Sequence, residues 1–408
     1  MPPPPSTIRY HIRMSRYRLT PSPEQELILL HHCAHARYVW NLAVEQHSYW
    51  RPGRKSAPDY LAQCRQLTEA RDEHPWLREG SSTVQQQALR DFAQAKANFL
   101  RVTHGRPSWR KSGRNEGFRI VGRCGREWDV RRISRHVGEV KIPKAGWVRF
   151  RWSRRIPSGV KSYRVTRDRA GRWHIAFAAI PQTIDPPNSG SVVGVDRGVT
   201  VSAALSTGEL LYAPGLTAQE QRRVALLQRK LARRRRPSVR RVRAIRAIAK
   251  LKARESDRRK DWTEKTSTNL VRRFDVIRVE NLNVKKMTRT AKGTMESPGR
   301  NVRAKSGLNR GILSSGWGLL VCRLEEKAPG RVEKVNAAYT SQRCSACGHV
   351  DAKSRESQAV FACTACGYAC NADINAAINI AAGHAVTARG GDGDARPVNR
   401  EPQLLTSA

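Results

Sequence analysis

The chain has 408 residues, with 76 Lys and Arg against 34 Asp and Glu, so its formal net charge is +42. This excess is spread along most of the chain, which excludes a single basic tail and predicts a polyanionic partner, with nucleic acid as the first candidate. No apolar run approaches twenty residues and no signal sequence opens the chain, so we expect neither a membrane span nor secretion.

The N-terminal quarter of the chain predicts a strand followed by helices. A basic strand is expected over residues 11–19. Ser22, Pro23 and Gln25 form a capping box with proline at the first helical position, so a helix begins there. The apolar residues expected on one buried face of this helix are Leu27, Leu30, Ala34 and Tyr38. Further helices are expected up to residue 101.

Short strands and turns replace the helical pattern between residues 118 and 180. A basic loop at 105–114 precedes them, and a linker at 181–190 follows. Hairpins of this length, together with the strand near residue 15, predict a small β-barrel that is split in the sequence.

A third region begins with SVVGVD, a buried strand, and continues into a hairpin that turns at residues 206–208. Two helices separated by Pro237 follow, and the second has an apolar stripe formed by Val242, Ile245, Ile248 and Leu251. Between Arg222 and Lys260, 18 of 39 residues are Lys or Arg against two acids. This imbalance predicts a helical hairpin that binds a nucleic-acid backbone.

Beyond the hairpin, FDVIRVE is a second buried strand, which ends at Glu280. Residues 288–310 are predicted to form a loop, residues 313–327 a helix and residues 331–338 a strand.

Four cysteines stand in two CxxC pairs with fifteen residues between them: Cys344, Cys347, Cys363 and Cys366. This spacing is typical of a zinc ribbon, and a glycine after each pair, Gly348 and Gly367, suits a tight knuckle turn. A reducible disulfide or ordinary buried thiols are the alternative. Cys370 and His349 are spare potential ligands that we do not expect to bind zinc. The remaining cysteines are scattered and odd in number, as in a reducing cytosol.

Three acids occupy positions from which they can converge. Asp196 ends the first buried strand, Glu280 ends the second, and Asp373 opens an apolar helix after the cysteine ribbon. Taken singly, each acid also fits a helix cap or a salt-bridge partner. Three converging carboxylates repel one another unless cations neutralise them. The trio therefore predicts two Mg²⁺ ions that activate water and stabilise the leaving oxygen in phosphodiester cleavage.

The order of these motifs resembles the TnpB family, the RNA-guided nucleases encoded by bacterial insertion sequences. The segments that carry the resemblance are GVDRGV, a strand ending in VENL, and the four-cysteine ribbon followed by NADINAAINI. RYRLTPSPEQ, KIPKAGWV and GWGLLVCRL also look like family segments, so the resemblance covers almost the whole chain. One departure is Asn371-Ala372-Asp373, where many members carry Asp-Arg-Asp, so only the last acid is kept.

The resemblance implies an α/β multidomain fold around an RNase H-like RuvC nuclease domain, at residues 189–338 and 371–383. A zinc-ribbon target-loading insert is implied at 339–370 and a helical recognition lobe at 21–109. A split β-barrel (wedge) domain is implied at 1–20 and 110–188. The tail at 384–408 is expected to be disordered.

The resemblance also implies an RNA-guided endonuclease that recognises a short target-adjacent motif and cuts both DNA strands at one RuvC site. Carried over by position, Asp196, Glu280 and Asp373 are the catalytic Mg²⁺ ligands, and the four cysteines hold one structural zinc. Contacts near the flanking motif are expected from Ser82, Thr83 and Gln86. Contacts from the basic hairpin are expected from Arg233, Arg234, Arg235, Arg236, Arg240 and Arg241.

The partners expected are a guide RNA and double-stranded target DNA, with no membrane. We expect a monomer in the bacterial cytoplasm, associated with the nucleoid. A dimer is the alternative.

Three other interpretations share part of this pattern. A compact type V CRISPR effector has every motif, and a CRISPR array rather than transposon ends beside the gene would identify it. A nuclease-inactive RNA-guided repressor would have lost one or more of the three acids, all of which are present. A strand-exchanging transposase needs a different nucleophile or an integrase layout of carboxylates, and the RuvC order with a ribbon argues against it.

Overall fold

The computed structural model describes residues 13–49, 57–122, 124–126, 128–179, 182–234 and 238–383. Its contacts separate two compact units, one drawn from Met1–Pro181 with Arg223–Leu251 and one from Gln182–Arg222 with Lys252–Ala408. The predicted features on residues 1–12, on Arg235, Arg236 and Pro237, and on the tail at 384–408 lie outside the described residues. Within the described ranges, no helix is long and apolar enough to cross a bilayer.

The first unit combines helices with two antiparallel sheets. It starts with β1 (Arg13–Arg18), and its helices are α1 (Pro23–Ser48), α2 (Tyr60–Glu73), α3 (Pro75–Arg78) and α4 (Ser82–Leu100). Its other strands are β2 (Gly117–Val121), β3 (Val130–Arg132), β4 (Val137–Ile142), β5 (Gly146–Arg151), β6 (Ser162–Arg167) and β7 (Trp173–Ala179). One sheet has the order β1-β7-β6-β2 and the other β3-β4-β5.

Strand β1 pairs along the whole of β7, although some 150 residues separate them in the chain, with Tyr17 opposite Ile175. Their sheet and the β3-β4-β5 sheet share an aromatic core, in which the Tyr17 ring lies 5.6 Å from both Phe150 and Phe177. Tyr163 is also fully buried there.

The predicted capping box of α1 is confirmed. The Ser22 hydroxyl accepts a bond from the Gln25 amide, and the Gln25 side chain accepts one from the Ser22 amide. The predicted buried face of α1 is wrong, because Leu27 and Tyr38 are exposed. The buried face instead includes Leu29, Cys33, Ala36, Trp40 and Ala43, which face α4 and β2. Apolar residues lie on more than one side of this helix, so periodicity alone does not select the face that packs.

The helices α5 (Ala218–Ala232) and α6 (Val239–Arg273) each contribute residues to both units. The buried side chains of their basic stretch include Val224 and Ala244. The apolar stripe predicted for the second helix is wrong at its start, since Val242 and Ile245 are exposed.

The second unit is built on a five-stranded sheet of order β10-β9-β8-β11-β12. Its strands are β8 (Val192–Asp196), β9 (Ala203–Leu205), β10 (Leu210–Leu211), β11 (Val276–Glu280) and β12 (Val332–Val335). Strands β8, β11 and β12 are parallel, and β9 is antiparallel to both of its neighbours. The predicted hairpin turn at 206–208 is confirmed as the connection between β9 and β10.

Helices α7 (Val284–Met287), α8 (Val302–Ser315) and α9 (Trp317–Lys327) lie between β11 and β12 in the chain. The loop predicted for 288–310 is therefore wrong in its last part, which is helical. The helix predicted over 313–327 is interrupted at Gly316, which adopts a left-handed φ of 79° and ends α8 while it precedes α9. The unit ends with β13 (Val360–Ala362), β14 (Ala369–Asn371) and α10 (Ala372–Ala382).

Helix α10 packs directly on β8, and a glycine allows this close approach. A Cβ atom at Gly194 would overlap the Ala377 carbonyl oxygen and the Ala381 nitrogen. The small residues of α10 match this contact, because Ala376 and Ala377 are fully buried. The packing brings the start of α10 to the edge where β8 ends.

Candidate active site and metal centre

The three acids singled out in the sequence come from three elements of the second unit. Asp196 is the last residue of β8 and Glu280 is the last residue of β11, the parallel strand beside it. Asp373 lies in the first turn of α10. The carboxyl ends of neighbouring parallel strands meet at one edge of a sheet, so the fold brings the trio together there.

Glu280 and Asp373 are close enough to Asp196 for their negative charges to affect its pKa. The pKa of Asp196 is raised well above its usual value, first by burial and then by the negative charges of Glu280 and Asp373. Burial also raises the pKa of Asp373. The carboxylate oxygens of the three acids are more widely spaced than the four sulfurs described below, since they do not all lie within 4.8 Å of one another.

Helix α10 is capped by Asn371, one of the two residues that differ from the Asp-Arg-Asp pattern given above. The Asn371 side-chain oxygen accepts bonds from the amides of Asp373, at 3.0 Å, and Ile374, at 3.2 Å. Asparagine is among the strongest N-caps, so this residue fixes the start of the helix and with it the backbone of Asp373.

Three further residues contact the acids and were missed by the sequence analysis. The Thr340 hydroxyl donates to a Glu280 carboxylate oxygen at 3.1 Å. The buried Arg197 guanidinium donates to the Glu280 carbonyl oxygen. Arg355 lies 3.4 Å from Asp373, and its charge lowers the pKa of both Asp196 and Asp373 against the upward shift from burial. Arg197 could have been suspected because it follows Asp196, whereas Thr340 and Arg355 reach the site only through the fold of the ribbon.

The four predicted zinc ligands meet at one point. Their sulfur atoms all lie within 4.8 Å of one another. The Cys344 and Cys366 sulfurs are 3.7 Å apart, and the Cys347 and Cys363 sulfurs are 3.6 Å apart. A tetrahedral ion with Zn–S bonds of about 2.3 Å requires sulfur–sulfur edges of about 3.8 Å. The cysteine set therefore fits a single zinc ion.

Each cysteine pair closes the same type of turn. The Gly348 amide donates to the Cys344 carbonyl, and the Gly367 amide donates to the Cys363 carbonyl, both at 3.0 Å. Both glycines have a positive φ, of 78° and 71°, as the knuckle requires. Backbone amides aimed at sulfur lower the pKa of the Cys363 thiol, whereas contacts with the neighbouring sulfurs raise the pKa of the Cys366 thiol, so the sulfurs of the cluster do not ionise alike without a metal.

Two buried asparagines join the ribbon to α10. The Asn375 side chain accepts from the Ser345 amide at 2.9 Å and donates to the Arg343 carbonyl at 2.7 Å. The Asn379 side chain donates to the carbonyls of Arg343, at 2.8 Å, and Thr340, at 3.0 Å. The metal centre and the helix that carries Asp373 are therefore one hydrogen-bonded structure.

The residues predicted to contact nucleic acid belong to two surfaces. Ser82, Thr83 and Gln86 are exposed on the first two turns of α4. Arg233 and Arg240 are exposed, and Arg234 is half-buried. The Arg241 guanidinium donates to the carbonyls of Leu231 and Arg234, so it ties α5 to α6 instead of being wholly available to a ligand.

Comparison with known proteins identifies the family. Residues 166–291 match the family profile "Probable transposase" (OrfB_IS605), residues 12–55 its "Helix-turn-helix domain", and residues 317–380 the profile "Cas12f1-like, TNB domain". The Escherichia coli K12 protein "Putative RNA-guided DNA endonuclease InsQ" is 35% identical over 405 residues, which cover 96% of this chain and 98% of that protein. The Streptomyces pristinaespiralis "Putative RNA-guided DNA endonuclease" is 31% identical, with 97% of each chain covered.

A solved structure shares the fold. The "Cryo-EM structure of the Cas12f1-sgRNA-target DNA complex" matches with a TM-score of 0.54 at 15% identity, over 88% of this chain and 83% of that one. The fold and the four-cysteine ribbon thus define an α/β protein whose fold resembles that of Cas12f1. The chain belongs to the TnpB (IS605 OrfB) family, as its full-length similarity to InsQ shows.

Proposed function

We propose that the protein is an RNA-guided DNA endonuclease with a single RuvC-type site. The convergence of Asp196, Glu280 and Asp373 at one sheet edge carries this proposal. The sheet order, with β9 as its antiparallel strand, supports an RNase H-like nuclease domain. The names of its two full-length relatives support RNA-guided action on DNA.

The three acids would hold two Mg²⁺ ions, since hard oxygen ligands suit this cation. The raised pKa of Asp196 supports the fit, because crowded carboxylates favour a divalent cation that offsets their charge. When bound, such ions supply Lewis-acid stabilisation and an activated water for phosphodiester cleavage.

The protein groups around the acids keep them oriented. Thr340 holds one oxygen of Glu280, and Arg355 faces Asp373. Arg355 also adds positive charge near the reacting phosphate. Zinc in the four-cysteine ribbon would be structural, because all four ligands come from the protein and no position stays open for substrate.

The guide RNA would supply sequence choice by base pairing, while the protein supplies positive charge and shape. We assign the helices up to residue 109 to a recognition lobe and the β1–β7 sheet region to a split wedge barrel. The exposed residues Ser82, Thr83 and Gln86 are proposed to face the motif beside the target. Such an enzyme would act on bacterial DNA in the cytoplasm, as a monomer on its guide or as a dimer.

Cleavage and binding measured on one guide-loaded preparation test the proposal. Asp196→Ala, Glu280→Gln and Asp373→Ala should each abolish Mg²⁺-dependent cleavage and keep guide-dependent target binding in a gel shift. Loss of several kcal/mol of metal-assisted barrier reduction corresponds to roughly tenfold in rate for every 1.4 kcal/mol. Asp261→Ala, which removes an exposed acid of α6, is the matched control.

Retained cleavage in all three variants would refute the RuvC site. Loss of binding together with cleavage would mean that the acids support the fold. Sequencing of co-purified RNA tests the guide separately, since a true guide should be enriched in RNA from the flanks of the gene. A CRISPR array in those flanks would favour the type V effector, the alternative that shares every motif.

A further inference from the structure

A cleft beside α1 has no part in the proposed nuclease chemistry. It has a volume of about 480 Å³ and is lined by residues of α1, α3 and the basic loop at 105–114. Three of its aromatic side chains remain exposed: Tyr38 by 46%, Trp76 by 44% and Trp109 by 53%. Clustered exposed aromatics in a concave site mark a binding surface more often than an accident of folding.

One wall of the cleft is an aromatic pair. The Tyr38 and Trp76 rings meet edge to face, with centroids 4.9 Å apart and planes at 88°. His35 contacts the same Trp76 ring at 5.6 Å. These contacts restrict the orientation of Trp76 while much of its surface stays open.

Trp109 also lines the cleft, and hydrogen bonds join the backbone on both sides of it to α1. The Trp40 indole donates to the Ser108 carbonyl at 2.9 Å. The Asn41 side chain donates to the Arg110 carbonyl at 3.1 Å and accepts from the Arg110 amide at 2.8 Å. The Arg110 guanidinium lies 3.7 Å from the Trp40 ring centroid. Trp109 is therefore an exposed ring on a fixed backbone, which lowers the entropy cost of stacking a ligand on it.

A chain of hydrogen bonds from Arg71 to His31 determines which ring nitrogens of the two histidines in the cleft carry a proton. Arg71 donates to the Gln85 side-chain oxygen, so the Gln85 nitrogen donates to His35 Nδ1 at 2.7 Å. His35 then carries its proton on Nε2 and donates to His31 Nε2 at 2.9 Å. His31 is thereby left with Nδ1–H as a donor. Burial lowers the pKa of His35 to about 4, so the His35 ring is neutral near neutral pH.

The loop that supplies Trp109 is basic. Residues 101–114 contain five Lys or Arg and no acid, and the lining of the cleft itself includes Arg37 and Glu45. Exposed aromatic rings next to a basic loop match a nucleotide, which offers a π-face and a phosphate on one unit. It matches a second copy of this chain poorly, because each copy carries +42.

We propose that this cleft binds one unstacked nucleobase of a bound nucleic acid, which stacks on the exposed Trp109 ring in the cleft that Tyr38 and Trp76 also line. The inference rests on the proposed function, since it requires a nucleic-acid ligand, and it adds a base-binding site that none of the three acids lines. The strand that supplies the base is the guide RNA or the target DNA, and the chemistry of recognition is the same for both.

The test uses nucleic-acid-free, full-length protein and three fluorescent oligomers of equal length. These are oligothymidylate, oligouridylate and an abasic strand with the same phosphates and no bases. Trp109→Ala should weaken binding of a base-bearing strand on the order of 5- to 150-fold, the range of one base stacked on an aromatic ring. Binding of the abasic strand should not change, and Trp109→Phe should keep most of the affinity. Whichever of the two base-bearing strands loses more affinity identifies the source of the base.

Phe99→Ala is the matched control, because Phe99 is an exposed aromatic of α4 that does not line the cleft. An equal loss for the base-bearing and abasic strands would overturn the proposal, as would no loss for either. Self-association of the protein that Trp109→Ala abolishes would also overturn it, since a second copy would then cover the cleft. Failure of the wild-type protein to bind any strand would instead refute the proposed function.

Discussion

Arg355, in the segment between the two cysteine pairs, lies 3.4 Å from the Asp373 carboxylate at the start of α10. The ribbon thus contributes a cation to the acid cluster of the sheet. The Arg355 charge lowers the pKa of Asp196, against burial and the neighbouring negative charges, which raise it.

We predict that Arg355→Ala lowers the cleavage rate by about 100- to 1000-fold, the range for removing one charge-stabilising donor from an active site. Target binding should persist, because it depends on many other Lys and Arg residues. Arg355→Lys should recover part of the rate, since it restores charge without the planar guanidinium. Equal cleavage by the Ala variant and the wild type would show that Arg355 only braces the ribbon.

The raised pKa of Asp196 predicts a pH-dependent stability. The folded state holds the proton more tightly than the unfolded chain, so this carboxyl favours folding at low pH. That contribution is lost as the pH rises from about 4, the ordinary carboxyl value, through the raised pKa of the folded state. Asp196→Asn should therefore be more stable than the wild type at pH 8, and the difference should shrink toward pH 4.

Thermal unfolding without added Mg²⁺ and without a chelator, so that zinc is kept, measures this difference. A gain of about 1 kcal/mol would raise the Tm by roughly 2–4 °C in a unit of this size. Added Mg²⁺ should reduce the gap by stabilising only the wild type. A gap that does not vary with pH would contradict ionisation of Asp196 as its cause.

Zinc should stabilise the ribbon directly. Cys344→Ser or Cys363→Ser should lower bound zinc from one ion per chain toward none and lower the Tm, because structural zinc contributes folding free energy. The control His349→Ala removes a nearby exposed imidazole outside the four-sulfur cluster and should retain the ion. Full zinc content in both serine variants, measured by mass spectrometry, would refute the four-cysteine site.

The close packing of α10 on β8 can be tested by adding a single carbon atom at Gly194. Gly194→Ala adds a Cβ that overlaps backbone atoms of α10, so the helix must move away from the strand. We expect a loss of stability of about 1–3 kcal/mol, typical of overpacking, together with loss of cleavage as Asp373 shifts. Gly215→Ala, where the added atom meets nothing within 4 Å, should behave as the wild type. If Gly194→Ala is stable but inactive, the loss of cleavage comes from the displacement of Asp373 and not from unfolding.

The sequence predicts the elements that carry the acids well, because Asp196 and Glu280 each end a short apolar run. Both strands are parallel neighbours in the sheet, so the predicted strand ends lie at the same edge. The four cysteines that come together in the structure could also be predicted, since their spacing in two CxxC pairs indicates one ligand set.

The contacts of Thr340 and Arg355 could not be predicted in this way. No periodicity or local motif marks these residues, and their position depends on how the ribbon folds back over α10. Asn375 and Asn379 appear in the sequence as polar residues in an apolar helix, but their partners are backbone groups 30 to 39 residues away. The prediction of the buried face of α1 was wrong for a related reason, since the elements that pack against this helix are distant in the chain.

The bonds from Asn375 and Asn379 to the ribbon have a consequence for protein engineering. A chimaera that exchanges residues 339–370 alone for the ribbon of a relative would keep every acid of the site. It would nevertheless break the bonds to α10 unless the new ribbon offers the same carbonyls and amide. The smallest transplantable piece is therefore residues 339–383, with the zinc ligands, the two asparagines and Asp373 moved as one block.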